Sequence, residues 1–260
     1  MTTTQTLPLH CEISGTGHPL LVLHGLFGSS TNWKPLSKEW SEFYQVFALD
    51  QRNHGRSPHS STFNYEAMAA DVRAFMHTHH LASTYLLGHS LGGKTAMQFA
   101  LTYPDLVDKL VVVDMSPRAS QPRHHSILAA LQGLDFAAAR NRRELDAQLA
   151  QHIADREVRQ FLLMNVANDE NGQLQWRMNL DALAASYDEV NKAVETRGAY
   201  DKDALFVRGE KSDYIPDEDI DTINTLFPQA RIVTVAGAGH WLHAEKQEEF
   251  SKLVFDFLNE

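Results

Sequence analysis

Cysteine is almost absent from this sequence. Cys11 is the only one in 260 residues, so the chain cannot form an internal disulfide, which is typical of a reducing compartment. Long hydrophobic runs are missing as well, because no stretch approaches the roughly 18 apolar residues that span a bilayer. Residues 1–17 lack the basic start and the apolar core of a secretory signal. These absences predict a soluble, cytoplasmic protein without a membrane span.

Positive charge is also scarce. Lysine and arginine total 23 against 33 aspartates and glutamates, which gives a formal net charge of -10. Such a chain lacks the phosphate attraction of nucleic-acid-binding proteins and the basic surface that anionic membranes attract. We find no cluster of His, Cys or Asp with metal-ligand spacing, and no glycine-rich P-loop or dinucleotide fingerprint. We therefore predict no metal, no cofactor and no nucleic-acid partner.

The sequence does contain a series of short, continuous apolar runs. Unbroken runs of this length are typical of strands buried on both faces of a parallel sheet. Helix-like segments such as 65–79 and 94–103 lie between them, and this alternation predicts an α/β fold with a mostly parallel, doubly wound sheet. The predicted strands are 19–23, 44–49, 83–87, 110–113, 204–207 and 230–235.

Residues 118–200 break this alternation. They contain no convincing strand run, and they are rich in alanine, leucine, glutamine and arginine. Amphipathic patterns predict helices at 128–131, 136–149 and 158–166. Because ligands of parallel α/β sheets bind at the carboxyl ends of the strands, we predict that 118–200 is a helical cap. It is inserted into a core formed by 1–117 and 201–260.

The most informative local pattern is the pentapeptide Gly88-His89-Ser90-Leu91-Gly92, which matches the G-x-S-x-G pattern of a nucleophile elbow. A predicted strand precedes it and a helix-like run follows it, which is the context that the motif requires. In so sharp a turn, a side chain at Gly88 or Gly92 would collide with neighbouring backbone. The pattern predicts that Ser90 is a nucleophile above the sheet edge, at the positive end of a helix.

A serine hydroxyl is a weak nucleophile that needs a general base, and a histidine oriented by a carboxylate meets that need. His240 follows the last predicted strand in a glycine-rich loop, at the same sheet edge as Ser90. Imidazoles titrate near neutral pH, so this side chain can take the serine proton and later return it. We therefore predict that His240 is the base.

Four stretches together resemble those of the α/β-hydrolase-fold esterases, over nearly the whole chain. Within that superfamily the chain is similar to the small YbfF-type bacterial esterases. The resemblance implies hydrolysis of carboxylic esters or acyl thioesters. The matching stretches are 23–29, 50–57, 88–94 and 236–241.

Two aspartates are candidates for the acid that orients His240. Asp114 follows the predicted strand 110–113, and Asp213 lies in the loop after 204–207. Most α/β hydrolases keep the acid in that later loop, but its usual position falls on Ser212, one residue before Asp213. The resemblance implies a serine at this position, which favours Asp114 and leaves Asp213 as the alternative. Ser212 would then hydrogen-bond on the histidine side of the site.

The remaining component is an oxyanion hole of backbone amides. One N–H is predicted to belong to Leu91, directly after the nucleophile, and the other to Leu26 in the loop after the first predicted strand. The predicted function is a serine hydrolase of a small-molecule ester or acyl thioester, acting through an acyl-enzyme. The alternatives are a non-catalytic ligand-binding or signalling module of the same fold, and a related C–C bond or lactone hydrolase. No pattern indicates an oligomeric state.

Overall fold

The structure, a computed structural model, describes residues 5–196 and 198–260. Seven of the strands in this part form one sheet, in the order β1-β3-β2-β4-β5-β8-β9 once numbered along the chain. Strand β1 runs antiparallel to β3, and the other pairs are parallel. The strands are β1 (Cys11–Ser14), β2 (His18–Leu23), β3 (Tyr44–Leu49), β4 (Thr84–His89), β5 (Val107–Val113), β6 (Val166–Asn168), β7 (Leu174–Trp176), β8 (Ala204–Gly209) and β9 (Ala230–Val235).

The central strands are buried because both faces of the sheet are covered. Side chains alternate between the two faces along a strand. Leu21 and Leu23 belong to one hydrophobic core, whereas Leu20 and Val22 belong to a second core on the opposite face. All four are completely buried, which explains why the sequence shows a continuous apolar run rather than an alternating one.

Helices cover both faces. In the core, α2 and α3 contribute to the first hydrophobic cluster and α1 and α10 to the second. The Asn64 side chain accepts a hydrogen bond from Ala67 N at the start of α2, which satisfies one of its free backbone amides. The helices of the described residues are α1 (Lys34–Trp40), α2 (Tyr65–Thr78), α3 (Leu91–Thr102), α4 (His125–Gln132), α5 (Arg142–Leu149), α6 (Arg156–Leu163), α7 (Leu180–Ala185), α8 (Ile220–Leu226), α9 (Leu242–Glu245) and α10 (Gln247–Asn259).

The chain between β5 and β8 contains α4 to α7 and a small antiparallel pair, β6 and β7. Its apolar residues form a third hydrophobic cluster with residues of the core, so that Leu131 and Leu145 share a cluster with Phe27 and Leu91. This segment therefore packs against the loops that lie beside Ser90. The division into a core and a cap at residues 118 and 200 stays a prediction.

Several predicted boundaries within 118–200 are wrong. The segment contains strands after all, but each has only three residues, too short for alternation to be recognised. The helix predicted from 136 begins at Arg142, because Asn141 accepts a hydrogen bond from Glu144 N and caps it there. The helix predicted to end at 166 ends at Leu163, and Val166 begins β6. The edge strand β1 was also not predicted.

The loop at 50–57, which resembles that of the esterases, is packed beneath the site. The Arg52 guanidinium is completely buried and donates to both carboxylate oxygens of Asp71, at 2.7 and 2.9 Å. It also donates to the backbone carbonyls of Thr62 and Ala67. A buried charge needs such partners, so this arginine ties the loop to α2.

Within the described residues, no helix has the length and hydropathy needed to cross a membrane.

Candidate active site

Ser90 stands in a strained turn between β4, which ends at His89, and α3, which begins at Leu91. Its φ of 53° and ψ of -118° are uncommon for a residue with a side chain. The turn also depends on two glycines. A Cβ on Gly88 would lie 2.1 Å from the Gly92 carbonyl oxygen, and one on Gly92 would lie 2.4 Å from the Leu23 carbonyl oxygen. The elbow geometry predicted from the pentapeptide is therefore present, and such strain persists only where the surroundings enforce it.

The carboxylate of Asp114 is completely buried at the end of β5, the strand next to β4. The residue has a φ of 49°, and its backbone N–H donates to Val207 O on β8. Gly209 N donates to Oδ1 at 3.1 Å, and the Ser212 hydroxyl donates to Oδ2. Hydrogen bonds of this kind hold the carboxylate in one orientation.

His240 meets this carboxylate from the loop after β9. Its Nδ1 lies 2.7 Å from Asp114 Oδ2, across 126 residues of sequence. The Tyr214 ring stacks on the imidazole at a centroid distance of 3.9 Å and an angle of 18°. Glu245 accepts hydrogen bonds from Gly239 N and Trp241 N, so the backbone is held on both sides of the histidine. The ring is thus fixed in position and in tautomer, with Nδ1 as the donor.

His89, which precedes Ser90, ties the elbow to the histidine loop. Its Nε2 lies 2.9 Å from the His240 carbonyl oxygen, and the two rings are 4.7 Å apart. Ser90 and His240 are both in the described part of the chain, and their side chains are not hydrogen-bonded to each other. Hydrogen bonds between a nucleophile and its base are often long without substrate and shorten in the complex.

The other histidines near the site are held neutral. Burial lowers the pKa of His89 well below its ordinary value, and it lowers the pKa of His243 to about 3. For His124, burial lowers the pKa to about 4, and its Nδ1 lies 2.9 Å from the Tyr187 hydroxyl. Desolvation disfavours the charged form in each case. These rings therefore carry no positive charge at neutral pH.

Ser90 opens into a narrow cleft of about 30 Å³. Leu26 and Leu91, the predicted oxyanion residues, line the same cleft, together with His124 and Tyr214. The Leu26 loop turns sharply, since Phe27 has a φ of 61° and Gly28 N donates to Gly25 O. The two residues whose amides are predicted as oxyanion donors thus line the same cleft as the nucleophile, whereas the oxyanion role itself stays a prediction.

Asp213 lies apart from this arrangement. Its side chain is 70% exposed and pairs with the Arg123 guanidinium, which also holds the pKa of the carboxyl below its usual value. Ser212 was predicted to hydrogen-bond on the histidine side of the site, and its hydroxyl donates to Asp114, the carboxylate that His240 contacts. It is therefore the acid, and not the imidazole, that this serine positions.

Three contacts around the histidine were not predicted. They are the contacts of His89, Tyr214 and Glu245. Glu245 lies only five residues after His240, and this short spacing is a sequence signal from which its hydrogen bonds to the loop amides could be predicted. Nothing in the sequence pattern pairs Tyr214 or His89 with the imidazole, since both contacts depend on how the loops are folded together.

Several known proteins are similar to this chain over most of its length. A sequence model of the alpha/beta hydrolase fold matches residues 18–247. The sn-1-specific diacylglycerol lipase ABHD11 of Mus musculus is 40% identical over 247 residues, which cover 92% of this chain and 80% of the relative. Esterase YbfF of Escherichia coli is 35% identical over 243 residues, 93% of each chain. The structure of a marine microorganism esterase superposes with a TM-score of 0.95 and 40% identity, over 97% of this chain and 100% of that one.

Proposed function

Because this chain belongs to the α/β hydrolase family, we propose that it is a serine hydrolase that cleaves carboxylic esters of small molecules. The observation that carries the proposal is the 2.7 Å hydrogen bond between His240 Nδ1 and the buried Asp114 carboxylate, at the sheet edge where the elbow presents Ser90. Two similar proteins named as a lipase and an esterase support the same class of reaction. The fold alone does not imply a function, so the proposal depends on the arrangement of these three side chains.

In the proposed reaction, Ser90 Oγ attacks the carbonyl carbon of the ester while His240 Nε2 takes the hydroxyl proton. The tetrahedral intermediate collapses when the imidazolium gives that proton to the leaving alcohol, and an acyl-enzyme remains. Water then attacks the acyl carbon, again with His240 as base, and the carboxylic acid leaves as the serine recovers its proton. Asp114 keeps Nδ1 protonated and stabilises the imidazolium that forms in both halves of the reaction.

The amides of Leu26 and Leu91 hold the oxyanion in this proposal. Both residues line the cleft of Ser90, and α3 begins at Leu91, so the partial positive charge of the helix end acts on the same oxygen. The loss of one such donor typically costs about 3 kcal/mol of transition-state stabilisation. These donors are main-chain groups, so a side-chain deletion does not remove them.

We assign the acid role to Asp114 rather than to Asp213. A carboxylate orients an imidazole only through a direct hydrogen bond, and Asp114 makes that bond from a fully buried position. Asp213 instead pairs with Arg123 at the surface. The exposed pair is screened by solvent and is expected to contribute little to the site.

Turnover of chromogenic esters tests the proposal. We expect the chain to hydrolyse p-nitrophenyl esters and Ser90→Ala to reduce the rate at least about a thousandfold, because no other hydroxyl stands at the elbow. Ser83→Ala is the matched control, since that serine precedes β4 at the opposite end of the same strand and is expected to keep the wild-type rate. Equal rates for wild type and Ser90→Ala would show that the chain is not a serine esterase.

A substrate panel separates the related chemistries. Acyl thioesters use the same attack on a carbonyl carbon, and we propose that they are hydrolysed as well. The panel therefore includes an acyl thioester, a lactone and a vinylogous 1,5-diketone, and turnover of the diketone alone would indicate C–C bond hydrolysis. Binding of esters without any turnover would indicate a non-catalytic module.

From the single cysteine, Cys11, we also propose a cytoplasmic location, which cell fractionation tests.

A further inference from the structure

One side of the active-site cleft is formed by Val190 and Asn191, and these residues together with the adjoining Lys192 are here called the 190–192 wall. Val190 and Asn191 line the cleft together with Ser90. The three consecutive carbonyls of this wall accept hydrogen bonds from three different parts of the chain. The donors are the Tyr65 hydroxyl to Val190 O at 2.5 Å, Ser120 N to Asn191 O at 2.7 Å and Lys94 Nζ to Lys192 O at 2.7 Å.

The third of these donors is an unusual side chain. Lys94 lies on α3 one turn after the nucleophile, and its backbone N–H donates to Ser90 O at 3.1 Å. The side chain is completely buried, whereas lysines are almost never fully buried unless they are paired. In the described part of the chain no carboxylate lies within salt-bridge distance of its ammonium. The ammonium instead faces the Tyr65 ring, 5.8 Å from the centroid.

The charge on Lys94 is therefore maintained at a cost to the fold. Burial lowers the pKa of Lys94 to about 8, and the carboxylate of Asp219 offsets only part of that effect. Asp219 is itself bound by the Arg118 guanidinium at 2.9 Å. The other titratable group that faces the ammonium is Tyr65, whose pKa is raised by burial, so it is neutral. A fully buried lysine without a carboxylate partner is rare, and a perturbed buried group beside a cleft is a candidate for a role at that site.

We propose that Lys94 is a specificity-determining residue that ties the 190–192 wall to the helix of the nucleophile, and so restricts the site to short acyl chains. The inference rests on the proposed ester hydrolysis and adds the substrate class. The cleft of about 30 Å³ has room for only about two water-sized groups. An acyl chain that extends from Ser90 towards Val190 needs this residue to move outward, and the charge-assisted bond from Lys94 to the nearby Lys192 carbonyl opposes that movement.

Removal of the ammonium is expected to shift the acyl-chain preference. Lys94→Met keeps the unbranched, buried stem and leaves Lys192 O without its donor, while the Tyr65 and Ser120 bonds remain. The ratio of kcat/KM for p-nitrophenyl octanoate over p-nitrophenyl acetate should rise about tenfold, the factor that corresponds to one hydrogen bond to a charged donor. A residue that only supported the fold would lower both values together.

Two further variants make the measurement specific. Tyr65→Phe removes the hydroxyl that holds Val190 O and should raise the same ratio, which keeps the proposal testable if Lys94→Met does not fold. Lys109→Met is the matched control. Lys109 Nζ also donates to a backbone carbonyl, that of Phe257, at 2.8 Å, and it lies 5.3 Å from the centroid of the Phe257 ring. Lys109 precedes the carboxyl end of β5, so the octanoate-to-acetate ratio should remain at the wild-type value.

The outcomes separate this proposal from the proposed function. A raised ratio in Lys94→Met and Tyr65→Phe, but not in Lys109→Met, supports the role of the wall. A ratio within twofold of wild type in both test variants, or an equal rise in the control, overturns it. If the wild type hydrolyses no ester, the proposed function fails by itself. Amide hydrogen exchange of the 190–192 wall then tests whether Lys94 holds the wall in place. Unchanged protection of these amides in Lys94→Met refutes that role, and faster exchange supports it.

Discussion

Replacing the buried ammonium of Lys94 with a methionine thioether should change how the stability of the fold depends on pH. Burial lowers the pKa of this lysine from 10.5 to about 8 in the folded protein. The unfolded chain therefore binds the proton more tightly than the folded chain does. The charged form opposes folding at neutral pH, and the free energy of unfolding rises as the pH increases from about 8 to about 10.5.

The size of the effect follows from the two pKa values. One pKa unit corresponds to about 1.36 kcal/mol, so full protonation of Lys94 costs the wild-type fold about 3 kcal/mol. Between about pH 7 and about pH 9.5, the wild type should recover about 2 kcal/mol of that cost. Lys94→Met has no ammonium to titrate, and the carbonyl of Lys192 that it leaves without a donor costs about 1–3 kcal/mol at every pH. The free energies of unfolding of wild type and Lys94→Met should therefore be similar at neutral pH, and the wild type should become the more stable protein at alkaline pH.

Urea unfolding of the wild type and Lys94→Met at these two pH values measures the difference directly. The free energy of unfolding of the wild type should rise by about 2 kcal/mol relative to that of the variant as the pH increases, because all other titrations are common to both proteins. Lys109→Met provides the control, and its stability relative to wild type should not change with pH in this way. A constant difference between wild type and Lys94→Met, within about 0.5 kcal/mol, would refute the reasoning.

Three other predictions concern the catalytic groups and the loop beneath them. Asp114→Asn should lower kcat by about 10³–10⁴-fold, since the imidazole loses its orienting carboxylate, while Asp213→Asn should change kcat less than about threefold, because that group is exposed. His89→Leu should lower kcat with little change in KM, because the His240 carbonyl loses its donor. Arg52→Met should lower the free energy of unfolding by about 3–5 kcal/mol in urea, because it leaves a buried carboxylate unpaired.

Each of these has a result that would contradict it. A larger loss of kcat for Asp213→Asn than for Asp114→Asn would reverse the assignment of the acid. An unchanged kcat in His89→Leu would mean that the bond to the His240 carbonyl does not position the ring. For Arg52→Met, a free energy of unfolding within about 1 kcal/mol of wild type would show that the loop is held by other contacts.

The sequence by itself determined the framework of this protein. Runs such as 19–23 and 110–113 are too short for a typical helix, and an unbroken apolar run of that length is typical of a strand buried on both faces. The small residues at Gly88 and Gly92 fix the elbow, since a Cβ at either would overlap backbone atoms. These features are local, so pattern and sterics are enough to predict them.

Only the tertiary structure distinguished between groups that look alike along the chain. Asp114 and Asp213 both follow strands, yet one is buried against His240 and the other pairs with Arg123 at the surface. Nothing near Lys94 in sequence indicates that its ammonium is buried against a backbone carbonyl 98 residues away. Such contacts depend on which loops meet after the sheet has assembled, and burial then decides the charge and the role of each group.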